Sequence, residues 1–305
     1  MALLALLLAP AARVEADTGL QLLSTTPLSE RLVELTFASP ALGHDTNVRV
    51  LTPTDFDPST DHLPVLWLLH GGFGSEDDWT TAGAAEAATA DLDAIVVMPA
   101  AGIGGWYTDW VRGNNEGPQR WETYHLDELR PWIEEHYATR TDRDGRAVAG
   151  LSMGGFGAVS YAARHPDLFG FAGAFSGAVD IRNVGVSGVV LASPLAHGGV
   201  PGDIFGLRFV EEAGWMAHNP VDLAANLADV ELVLRTGNGV PAPGGDQGDP
   251  IQEGGVRWAN QTLHNKLVRL GIDHTFVVRQ GVHAWSYWRD DLVATLPDIE
   301  AFFAA

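Results

Sequence analysis

The stretch Arg146-Ala147-Val148-Ala149-Gly150-Leu151-Ser152-Met153-Gly154-Gly155-Phe156-Gly157-Ala158 decides how the rest of the chain is read. A short apolar run leads into Gly150-Leu151-Ser152-Met153-Gly154. A helical pattern follows through Val159, Tyr161 and Ala162 and stops at His165-Pro166. Gly-x-Ser-x-Gly between a strand and a helix is a nucleophile elbow. The turn is sharp, so its flanking residues must be small, and the strain lifts the serine hydroxyl above the sheet edge. The helix that follows aims its N-terminal amides at the place where negative charge develops. In a chain with 35 glycines the bare motif arises by chance, so the strand before it and the helix after it carry the reading.

Outward from the elbow, strands and helices alternate. Residues 31–39 and 46–52 read as strands, the second through Val48, Val50 and Leu51. Residues 63–69 form a continuous apolar run, the pattern of a strand buried on both faces, and end in His70-Gly71-Gly72-Phe73-Gly74. Residues 94–98, 171–175, 231–236 and 275–278 are further strands. The spacing predicts a helix over 121–137, with Leu126, Leu129, Ile133 and Tyr137 on one face, another over 256–270, and a terminal one. His125, Glu134, Glu135 and His136 match no standard metal spacing and read as a solvated face, as do the carboxylates of the 55–61 loop. Residues 178–220 lose periodicity and read as an insertion over the active site, within a single domain spanning 17–305. Residues 237–255 read as a long Gly/Pro/Asp loop, of the kind that is functional or mobile. The alternation predicts an α/β fold: an open, mostly parallel central sheet with right-handed crossovers and helices on both faces.

Composition narrows the function. With 39 acidic and 18 basic residues, the net charge of −21 argues against nucleic-acid binding and against polybasic docking on an anionic membrane. The chain has no cysteine, which excludes disulfides, thiol catalysis and zinc–thiolate sites. Met1-Ala2-Leu3-Leu4-Ala5-Leu6-Leu7-Leu8-Ala9-Pro10 is apolar but too short to span a bilayer, and Val14-Glu15-Ala16 resembles a small-x-small cleavage site. Residues 1–16 therefore read as a signal peptide and the mature protein as secreted or associated with the cell envelope; a cytoplasmic protein with an apolar terminus is the alternative.

A serine hydroxyl needs a base, and histidine is the natural one. In the chain order Ser, acid, His, the candidates are His218, His264, His274 and His283. Only His283 sits in a loop just past the C-terminal end of a strand, where catalytic groups collect in open α/β sheets. Position offers Asp246, Asp249 and Glu253 as the acid, and the residues alone do not choose among them. For the oxyanion hole the expected donors are the amides of Met153 and of Gly72, in the loop after 63–69. Neither a metal nor a cofactor is called for.

Family resemblance enters with the C-terminal run. Gly281-Val282-His283-Ala284-Trp285-Ser286-Tyr287-Trp288 resembles the Gly-x-His-x-Trp-x-Tyr-Trp signature of the antigen 85 mycolyltransferases and the related esterase D-like family. The elbow, Tyr107-Thr108-Asp109-Trp110 and Trp121-Glu122-Thr123 are similar to the same families, and the resemblance covers roughly residues 46–303. It implies an α/β-hydrolase fold. Glu253-Gly254, Arg257 and Asn260-Gln261-Thr262 look like the antigen 85 segment that carries the acid, which selects Glu253. Antigen 85 proteins carry an Asp-Gly-Leu-Arg type sequence at the oxyanion loop, whose Asp and Arg help hold trehalose; here the loop reads His70-Gly71-Gly72-Phe73, as in general esterases.

The expectation is acyl transfer through an acyl-enzyme on Ser152, by a carboxylic-ester hydrolase or an antigen 85-like mycolyl or diacylglycerol acyltransferase. The substrate is a small-molecule or lipid acyl ester, with Phe73, Trp110 and Trp285 as candidate substrate-binding residues. The choice of acceptor rests on how the 178–220 insertion and the Trp-rich rim exclude water. A non-catalytic binding or adhesion protein on a hydrolase scaffold is the competing class, and an intact Ser152, Glu253 and His283 set argues against it.

Overall fold

The computed structural model describes residues 19–305, and the signal peptide expected at 1–16 lies outside them. Among the described residues, β1 (Gln21–Pro27), β2 (Leu32–Ser39), β3 (His44–Leu51), β4 (Val65–Leu69), β5 (Ile95–Pro99), β6 (Arg146–Leu151), β7 (Phe171–Phe175), β8 (Glu231–Gly237) and β9 (Thr275–Arg279) form one sheet. Its order is β1-β2-β3-β5-β4-β6-β7-β8-β9. The pairs β1/β2, β2/β3 and β3/β5 are antiparallel, and from β5 through β4 to β9 every pair is parallel. This is an α/β-hydrolase fold with a mostly parallel sheet.

The helices are α1 (Asp78–Thr81), α2 (Ala85–Ala88), α3 (Trp121–Thr123), α4 (Arg130–His136), α5 (Met153–Arg164), α6 (Val184–Ala192), α7 (Glu212–His218), α8 (Pro250–Leu270) and α9 (Trp285–Ala304). Strands β4, β5, β6 and β7 are buried along their whole length, so both faces must be covered. Side chains alternate between the two faces. Val65, Trp67, Leu69, Ile95, Val97 and Val148 pack on one side with Phe156 and Val159 of α5. Leu66, Leu68, Val96, Met98, Ala147 and Ala149 pack on the other with Trp79 of α1 and Leu292, Leu296 and Ile299 of α9.

Several expectations change. β1 was not foreseen: all seven of its residues are exposed, so it carries no apolar alternation to read. The helix expected over 121–137 forms over 121–136, but a π turn over Tyr124–Leu129 lies within it, between α3 and α4. Within it His125 is not on a solvated face. It is 1% exposed, with Nδ1 2.8 Å from the Tyr161 hydroxyl and Nε2 2.8 Å from the Ala100 carbonyl oxygen. Glu134, also read as solvated, pairs with Arg130 and Arg146 at 3.0 and 2.6 Å. Helix α8 begins at Pro250, so Glu253 stands on its first turn rather than in the preceding loop. That loop is tied down: the Tyr287 hydroxyl accepts from the Ala242 amide at 2.9 Å and donates to the Asp246 carbonyl at 3.0 Å. Residues 178–220 hold α6 and α7 and join the 101–112 loop, with the Trp106 indole donating to Ser193 Oγ at 2.9 Å and the Val111 amide to Ile204 at 3.1 Å.

Candidate active site

Ser152 stands between β6 and α5 with φ 53° and ψ −115°, a left-handed backbone that a residue with a Cβ adopts only under strain. Neighbouring bonds hold it there: its amide donates to Phe175 O at 3.0 Å, and its carbonyl accepts from Phe156 and Ala178 at 3.1 and 3.0 Å. The glycines make the turn possible. A Cβ on Gly150 would lie 2.5 Å from Gly154 C and O, and one on Gly154 would lie 2.3 Å from Leu69 O. Any side chain at either position would force α5 away from the sheet.

His283 follows β9, and its backbone pairs with Asp249 through two bonds of 3.3 Å. Its Nε2 is 2.9 Å from Ser152 Oγ and its Nδ1 is 2.9 Å from Glu253 Oε2. Trp288 packs edge-on against the ring at 4.8 Å. Glu253 is fully buried. Its second oxygen, Oε1, accepts from Ser176 Oγ at 2.8 Å, from Thr236 Oγ1 at 3.0 Å and from the Gly237 amide. Burial works to raise the Glu253 pKa, but the His283 hydrogen bond and charge, with the bonds from Ser176 and Gly237, outweigh it and hold the carboxyl below its ordinary value. An ionised Glu253 only accepts, so Nδ1 of His283 carries the proton and Nε2 presents a lone pair to the serine hydroxyl. Sequence reasoning missed Ser176 and Thr236, although both stand at C-terminal strand ends, where such groups gather.

The other two acids have different occupations. Asp249 caps α8, its carboxylate accepting from the Ile251 and Gln252 amides at 2.9 Å each. Asp246 accepts from the Ser286 amide at 3.2 Å. Met153 opens α5, so its amide has no helical acceptor. Gly72 lies across from it: a Cβ there would sit 3.9 Å from Met153 Cβ and Sδ. Phe73 is 86% exposed beside this loop. Trp285 is half-buried, perpendicular to Trp79 and Trp288 at 5.4 Å each. Trp110 is buried in the core, and its indole N–H is spent on the Gly105 carbonyl at 3.0 Å, which leaves it little surface to offer a ligand. Among the described residues no group of three or more His, Asp or Glu side chains is arranged to hold a metal ion.

The Esterase family model, described as "Putative esterase", matches residues 39–299. The chain belongs to this esterase family. It is 34% identical over 261 residues to Esterase Rv1288 of Mycobacterium tuberculosis, a match that covers 84% of this chain and 56% of that protein, so the chain spans little more than half of its length. It is 30% identical over 284 residues to the diacylglycerol acyltransferase/mycolyltransferase Ag85A of the same organism, covering 88% of this chain and 80% of the relative. Among solved structures, Mycobacterium tuberculosis MPT51 superposes with a TM-score of 0.73 at 27% identity, covering 87% of this chain and 96% of that one. The chain is thus similar both to a protein named as an esterase and to one named as an acyltransferase, the two kinds of relative that the C-terminal signature implied.

Proposed function

We propose that this protein is a carboxylic-ester hydrolase that works through an acyl-enzyme on Ser152. The observation that carries the reading is the pair of 2.9 Å contacts linking Ser152, His283 and Glu253. His283 Nε2 takes the hydroxyl proton as Oγ attacks the ester carbonyl. Glu253 holds the imidazole in the required tautomer and stabilises the cation that forms. The amides of Met153 and Gly72 receive the developing oxyanion, and each such donor is worth about 3–4 kcal/mol in the transition state. Imidazolium then protonates the departing alcohol. A water, deprotonated by the same Nε2, releases the acid and restores the serine.

Water is the favoured acceptor on this reading. A disaccharide is held by charged and polar groups, and the oxyanion loop offers His70, Gly71, Gly72 and an exposed Phe73 instead. Each missing charged hydrogen bond weakens sugar capture by about 1.5–3 kcal/mol. Export, carried by residues 1–16, is part of the proposal, and N-terminal sequencing of the mature protein tests it. The activity test follows p-nitrophenyl ester turnover in the native protein and in Ser152→Ala and His283→Ala, with trehalose or a diacylglycerol offered as competing acceptor. Turnover lost in both variants, with free acid as the main product, is expected. Turnover retained in either variant refutes the nucleophile–base pair, and dominant trehalose ester refutes the acceptor assignment.

A further inference from the structure

We propose that His70 is a positioning residue for the oxyanion donor: its imidazole fixes the Gly71–Gly72 peptide so that the Gly72 amide faces the serine. The inference rests on the acyl-enzyme reading of Ser152. His70 directly follows β4 and is 1% exposed. Its Nε2 lies 2.9 Å from the Ala101 amide nitrogen, and its Nδ1 lies 2.7 Å from the Gly71 carbonyl oxygen. A backbone amide only donates, so Nε2 is the acceptor, and Nδ1 carries the one proton of a neutral ring and donates it to Gly71. A trans peptide is planar, with its C=O and N–H on opposite sides. Holding the Gly71 carbonyl against the histidine therefore turns the Gly72 N–H away from it. The loop runs over the elbow: a Cβ on Gly71 would lie 3.7 Å from Ser152 Cβ, and Gly72 faces Met153.

The remaining contacts hold the same peptides from their other sides. The Gly74 amide approaches Gly71 O at 3.2 Å, and the Gly104 amide donates to Gly72 O at 2.7 Å, while the Gly72 amide is not among these internal bonds. Ala101 and Gly104 belong to the loop after β5, so one buried imidazole joins the two crossover loops beside the nucleophile. That second loop carries Trp106 and Tyr107, both with positive φ (56° and 48°). Such backbone persists only where the surroundings over-determine it. Here Trp106 donates to Met153 Sδ at 3.3 Å, and the Tyr107 hydroxyl donates to His70 O at 3.0 Å. A residue that merely filled the core would not need two opposed ring contacts, one to each loop.

The test compares His70→Phe, which keeps ring bulk but removes both polar atoms, with His70→Asn, which restores a donor near the Nδ1 position. In His70→Phe, kcat is expected to fall roughly ten- to a hundredfold, less than the roughly hundred- to thousandfold seen when a donor is deleted outright. KM is expected to stay within about threefold, because only the transition state loses the contact. Binding of a trifluoromethyl ketone, whose serine adduct carries the oxyanion, weakens by the same factor as kcat/KM, and His70→Asn recovers most of both. Native kcat in His70→Phe, a rise in KM alone, or no rescue by asparagine overturns the proposal. Should His70→Phe fail to fold, ¹⁵N NMR of the native imidazole at neutral pH decides it: a neutral ring protonated at Nδ1 is expected, and protonation at Nε2 overturns it. Ser152→Ala separates the two readings. If it still turns over ester, the nucleophile reading fails; if it is inactive while His70→Phe is fully active, only the role of His70 fails.

Discussion

Three donors meet at one oxygen of Glu253, from Ser176, Thr236 and Gly237, while the other oxygen takes the His283 ring. A carboxylate in that setting can serve only as an acceptor fixed in place. Replacing it by an amide introduces a donor where three donors already converge and favours the wrong imidazole tautomer. Glu253→Gln is therefore expected to lower kcat by about four orders of magnitude, the scale found when a triad acid becomes its amide. Asp249→Ala should instead cost about 1 kcal/mol of stability as a lost helix cap and leave kcat within a few-fold. Urea midpoints and ester kinetics on the two variants check this, and a catalytic collapse confined to Asp249→Ala would contradict the assignment. The residues alone could not separate Asp246, Asp249 and Glu253, because all three fall between the same two strands. What distinguishes Glu253 is the register of α8: starting at Pro250, the helix turns position 253 inward and position 249 into its cap.

At the scale of elements, the elbow and the 121–137 helix were legible, and the π turn inside that helix was not. Glycine is demanded wherever α5 crosses close over β4 and β6, and Gly150 and Gly154 announce that crossing in the sequence. Gly154→Ala would drive a Cβ to within 2.3 Å of Leu69 O and 2.6 Å of His70 O, backbone atoms at the exit of β4 that cannot move independently. A stability loss of about 1–3 kcal/mol is expected, as for overpacked cores, together with a drop in kcat from the displaced oxyanion loop. Urea unfolding and steady-state kinetics measure the two, and native-like values for both would contradict the packing argument. The π turn over Tyr124–Leu129 escaped because a 3.6-residue pattern cannot register an added residue in one turn. It brings His125 and Glu128 inward, where Glu128 accepts from Ser39 Oγ at 2.6 Å and the Ala41 amide at 2.8 Å. Polar residues on a buried face read as solvated until their partners are known.

For the molecule as a whole, the central parallel strands could be read directly, since continuous apolar runs have few other uses. β1 could not, because an exposed edge strand shares its composition with a loop. The core also holds two neutral histidines, and burial pushes both His70 and His125 down to about 4. Between that value and the ordinary 6.5, the unfolded chain binds protons that the folded chain refuses, so each histidine makes stability rise with pH across this window. At pH 4 each has removed about 3 kcal/mol relative to neutral pH. Burial raises the carboxyls of Glu128 and Asp291, which act in the opposite direction. The His125 contribution is isolated by comparing the native protein with His125→Gln. The stability gap between them should narrow from pH 7 to pH 4.5 in urea unfolding, and a gap independent of pH would contradict a neutral buried His125.

The most direct test of the central claim is the site of covalent capture. The native protein is treated with a fluorophosphonate, residual ester turnover is followed to completion, and the adduct is mapped by peptide mass spectrometry. One adduct per chain on Ser152, formed in step with the loss of turnover, is the expected result. Loss of turnover with the adduct on another residue, or full turnover in protein labelled at Ser152, would contradict the acyl-enzyme account.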